Sequence, residues 1–102
     1  MRGTVSKPRL YVDFNEMLEP NLVLLSAEDA KRDVSGELIQ LREAMAIDVY
    51  MDDVNERGEP DSLVASGWVE KNQSSGWGSN AKWCCRIDEQ GIRHQSDLGK
   101  QD

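Results

Sequence analysis

Two runs of alternating apolar and polar residues dominate the middle of the chain. In the first, Ile47, Val49 and Met51 alternate with Asp48 and Tyr50; in the second, Leu63, Ala65 and Val69 share one side and Val64 and Trp68 the other. A two-residue period is that of a half-buried strand. The acidic stretch 52–62 between the runs carries Asn55, Gly58 and Pro60, so the pair is predicted to form a hairpin with a negatively charged loop. Upstream, Leu22-Val23-Leu24-Leu25 is a continuous apolar run, expected of a strand covered on both faces.

Weaker patterns fill in the rest. Residues 9–14 read as a first strand and 16–20 as a turn or single helical turn, and Ser26 with Asp29 has the spacing of a capping box, which predicts a short helix near 27–31. Asp33-Val34-Ser35-Gly36 is turn chemistry leading into a strand at 38–41. Residues 82–87 and 91–95 are expected to pair as a terminal hairpin around Asp88-Glu89-Gln90-Gly91. Six or seven short strands with at most one short helix predict an all-β fold, a small antiparallel barrel or roll of SH3-like size. At 102 residues there is room for one core, expected over 9–95, with a flexible lead at 1–8 and a flexible tail at 96–102.

Charge narrows the choice of partner. The net charge of −7 comes from the middle of the chain, where residues 11–65 hold fourteen acids against four cations. Phosphate backbones would meet a repulsive field, so nucleic acid is disfavoured and a basic protein favoured. No apolar run approaches the length of a membrane span, the N-terminal residues lack the apolar core of a secretory signal, and adjacent Cys84 and Cys85 read as free thiols. The expected location is the cytoplasm, with no membrane partner.

The candidate chemistry is sparse. Tyr50, Val64 and Trp68 fall on the polar side of the central hairpin, where they read either as a second packed layer or as a partner-binding face. Trp77, set between Gly76 and Gly78, is either a lid over the core or a further anchor on that face. In the acidic loop, Asp52, Asp53, Glu56 and Asp61 are candidates for steering a basic partner. Compared with a calcium loop, the segment has Arg57 where a ligand belongs and Val64 in place of the bidentate glutamate; as an EF-hand it fails, and solvated charge or a looser cation site are its readings. His94, Cys84 and Cys85 are too few for a closed zinc site, since neighbouring strand residues point to opposite faces. Cys84 shares its side with Lys82 and Arg86, which would favour a reactive thiolate.

No phosphate loop, nucleophile elbow or paired-histidine motif is present, and no cofactor is implied. The expected function is a small acidic binding or adaptor module for a protein partner, not an enzyme. An immunity-type inhibitor of a basic enzyme and a thiol enzyme or redox protein using Cys84 are the alternatives, and homodimerisation is compatible with each.

Overall fold

The computed structural model describes residues 7–73, 76 and 78–98, and is nearly all β. Among the described residues nine strands follow in chain order: β1 (Arg9–Tyr11), β2 (Met17–Glu19), β3 (Leu22–Ser26), β4 (Ala30–Arg32), β5 (Leu38–Gln40), β6 (Ala46–Met51), β7 (Leu63–Lys71), β8 (Trp83–Ile87) and β9 (Arg93–His94). One helical turn, α1 (Gln95–Leu98), follows β9. The main sheet runs β1-β6-β7-β8-β3-β2, while β4 and β5 pair as a separate ribbon. Its end strands β1 and β2 do not meet, so the fold is an open roll and not a closed barrel.

The predicted central hairpin forms with Val49 opposite Ala65 and Ile47 opposite Gly67. This register sends Ile47, Val49, Ala65 and Val69 to one face, where they join Leu10, Val12, Val23, Leu25, Leu41, Trp83, Cys85 and Ile87 in the core. Alternation therefore sorted the two faces correctly along β6 and β7.

Four local expectations are corrected. Residues 17–19 form a strand against β3 in place of a turn. No helix forms at 27–31: the Ser26 hydroxyl accepts the Glu28 amide as a cap would, but the Asp29 carbonyl accepts the Leu41 amide and its carboxylate turns to Lys82 and Trp83, so the chain enters β4. β1 pairs with β6 in parallel, Leu10 beside Val49, in an otherwise antiparallel sheet. The terminal hairpin is absent, because β9 does not fold back on β8. Both lie antiparallel against the same edge of β7, with Gly67 opposite Ile87 and Val64 opposite Arg93. They are one strand line interrupted by residues 88–92, which make a turn in which the Gly91 amide donates to the Asp88 carbonyl and Gly91 sits at φ 72°.

Gly67 marks the closest approach of β7 to β8 among the glycine positions. A methyl group there would overlap the Arg86 carbonyl oxygen and lie 2.8 Å from its carbonyl carbon, so β7 and β8 approach more closely at this point than any side chain permits.

Candidate functional site

The outer face of the main sheet carries the side chains that the alternation leaves over. It divides into two patches. Near the acidic end, Tyr11 stands edge-on to Tyr50 with ring centroids 5.5 Å apart, and the Arg9 guanidinium lies 5.1 Å from the Tyr50 centroid. Arg9 also donates to Gln95 of α1 at 2.8 Å, which ties the C-terminal segment across this end. Val64, opposite Tyr50 on one side and Arg93 on the other, is buried, and Tyr50 is half-buried. These two residues belong to a packed second layer.

A polar band comes next. Ser66 donates to Asp48 at 2.6 Å, and Lys7 pairs with the same carboxylate at 3.2 Å. Beyond it lies Trp68, so the predicted continuous aromatic face of Tyr50, Val64 and Trp68 is interrupted. Trp77 lies outside the described residues.

Trp68 is 40% exposed although β7 is the central strand, flanked by β6 and β8. Its indole N–H donates to Glu70 Oε2 at 3.1 Å. The Glu70 carboxylate in turn accepts two bonds from Arg86, from Nε and Nη2, each 3.1 Å. Arg86 Nη1 reaches Glu19 Oε1 and Asn21 Oδ1, both at 3.0 Å, so a single guanidinium links β7 and β8 to β2 and to the residue preceding β3. The hydrogen bonds that Arg86 donates hold the Glu70 carboxyl below its ordinary 4.5, and its bonds to Glu70 and Glu19 in turn raise the Arg86 guanidinium. Such a bidentate, networked pair is rigid in a way isolated surface pairs are not.

Two open clefts flank this network. One, about 480 Å³, is lined by Leu18, Leu22, Gln73 and the Glu19–Arg86–Glu70 group. The other, about 780 Å³, lies between Trp68 and the turn at 88–91.

The acidic hairpin is ordered by its own residues. Asn55 Oδ1 accepts the amides of Arg57 and Glu59, Val54 bridges Pro60, and Gly58 takes φ 78°. Asp53 pairs with His94 at 3.2 Å, and Asp61 accepts both the amide and hydroxyl of Ser96, at 2.9 and 2.8 Å. These two carboxylates anchor the segment 94–96, whereas Asp52 and Glu56 are exposed to solvent. Among the described residues no group of three or more His, Cys, Asp or Glu is placed to hold a metal ion. The acidic loop enters β7 at Leu63 and Trp68 stands five residues further along the strand, about 17 Å away at the usual rise per residue, so they do not form one site.

Cys84 does not have the surroundings of a reactive thiol. It lies on the outer side of β8 as expected, opposite Glu70 and Leu24, but it is fully buried. Burial first, then Glu70, pushes its thiol up to about 11, outweighing Arg86, and Lys82 pairs instead with Asp29. Cys85, in the core, is pushed up to about 12 by burial. Relative to its ordinary 9.0, the Cys84 thiol holds roughly a hundredfold less thiolate at a given pH. Iodoacetamide labelling of the native protein at pH 8 is expected to be at least that much slower than labelling in denaturant; equal rates would show that the outer face opens freely.

The Glu19–Arg86–Glu70 group is the part of this surface that sequence reasoning missed. Its members sit on three strands, and only the position of Glu70 two residues after Trp68 on the same face offered a signal. Comparison of the chain with protein-family models, with curated proteins and with solved structures finds no match.

Proposed function

We propose that the protein is a binding module that captures a basic protein partner on the outer face of β7 and β8, with Trp68 as the anchor. The observation that carries this reading is an exposed indole in the middle of a central strand, held in one orientation by Glu70 and, through it, by Arg86. Tryptophans are over-represented among the residues that dominate interface energetics, and an anchor already fixed before binding loses less side-chain entropy. The net charge of −7 supports a basic partner, and exposed Asp52 and Glu56 extend the attractive field beyond the docking face. Two free thiols suit a cytoplasmic setting. No described helix is long and apolar enough to cross a membrane.

The test is Trp68→Ala. Truncating an exposed side chain is expected to change stability by less than about 1 kcal/mol, while loss of an interface anchor weakens capture by about 30-fold or more, the equivalent of 2 kcal/mol. Affinity purification with the wild type and the variant, both checked by thermal melting, reads the two effects separately. A folded Trp68→Ala protein that captures the same partners equally well sinks the proposal.

A further inference from the structure

We infer that the cleft between Trp68 and the turn at residues 88–91 receives an arginine side chain of the partner; this deepens the docking role proposed above and rests on it. The cleft, about 780 Å³ and open to solvent, is lined by Trp68 and, from the turn, by Asp88, Glu89 and Gln90. Because the indole N–H is donated to Glu70, the ring offers a visitor its π-surface and apolar edges in place of a hydrogen bond. An apolar visitor would have to desolvate the carboxylates of the lining, whereas a cation satisfies both the indole and the carboxylates.

The cleft lining contains two acids and no cation. Arg86, two residues before Asp88, does not line the cleft, and its guanidinium is held by Glu70, Glu19 and Asn21. Asp88 Oδ1 accepts the Gln90 amide, which fixes the turn, and Glu89 is exposed and makes no hydrogen bond or ion pair among the described residues. A metal ion would find only two adjacent carboxylates and an aromatic wall, well short of the oxygen ligands it requires. A planar guanidinium stacks on an indole and offers forked donors to carboxylates, which a lysine ammonium cannot do together.

The probe is a short glycine-flanked arginine peptide, titrated into isotope-labelled protein and followed by NMR. Its lysine counterpart and its citrulline counterpart, which keeps the shape and removes the charge, serve as comparisons. The arginine peptide is expected to move the Trp68 indole N–H and the backbone amides of residues 89–91, the lysine peptide less, and the citrulline peptide not at all. The double variant Asp88→Asn with Glu89→Gln, which preserves the acceptor to Gln90, is expected to weaken the response about threefold or more. Equal responses to arginine and citrulline, shifts confined to residues 52–61, or no response overturn the assignment. Should Trp68→Ala abolish partner capture while the arginine peptide stays silent, the cleft assignment falls and the docking role stands; if Trp68→Ala retains capture, both fall.

Discussion

Gly67→Ala is expected to leave the protein unfolded or nearly so. The added methyl group would enter the Arg86 carbonyl group and come within 3.1 Å of the Ile87 Cα, and all of these atoms are backbone held in the β7–β8 ladder. A flexible side chain could swing aside, but here a strand has to move, and with it the pairing of Trp68 with Arg86 and of Val69 with Cys85. Ordinary overpacking costs about 1–3 kcal/mol. Forcing two paired strands apart at this contact should exceed that and consume much of the roughly 5–15 kcal/mol available to a domain. Circular dichroism and urea denaturation of the variant measure this directly. A Gly67→Ala protein within about 1 kcal/mol of wild type would mean that the close approach of β7 and β8 does not exist in solution.

The second large effect concerns Trp83. This indole is 6% exposed and lies in the core, with its N–H donated to Asp29 at 3.1 Å. Hydrogen bonds from Lys82 and Trp83 hold the Asp29 carboxyl below its ordinary range, so the ring is tied at its edge as well as packed at its faces. Trp83→Ala should cost about 3–5 kcal/mol through the cavity it leaves. Trp83→Phe keeps most of the packing and forfeits the bond to Asp29, and should cost clearly less. The comparison with Trp68→Ala is the informative one, because the same substitution is made on neighbouring strands and differs only in burial. Equal stability losses at the two positions, measured by chemical denaturation, would refute the division into a packing tryptophan and a docking one.

That division was only half legible in the sequence. Period-2 alternation placed Val49, Ala65 and Val69 in the core and set Trp68 on the other side, because a strand has only two faces and the register of a hairpin is fixed by its turn. The turn at Asp33 and Gly36 was equally readable, since Asp33 Oδ1 gathers the amides of Ser35 and Glu37 within five residues of chain. Non-local pairings left weaker traces. Nothing local in Arg9–Tyr11 specifies a parallel partner at Asp48–Tyr50, and residues 17–19 became a strand because β3 offered an edge. A lone glycine within a strand pattern is the one local trace of the close approach of β7 and β8 at Gly67. The reading of Cys84 failed because it weighed Lys82 and Arg86 as bare charges. The first is spent on Asp29, the second on Glu70 and Glu19, and the thiol itself is out of reach of water.

The place of β3 between β2 and β8 also bears on how the chain is made. Val23 finds its neighbour Cys85 about sixty residues later, a delay of roughly 3–12 s at ordinary rates of synthesis. Throughout that interval Leu22, Val23 and Leu25 have only the three residues of β2 beside them, and the parallel seat for β1 is likewise absent until β6 emerges. Partial products can pair β1, β6 and β7 but cannot join them to β3, so the topology makes completion of the main sheet a late event in the life of the nascent chain, set by the arrival of β8.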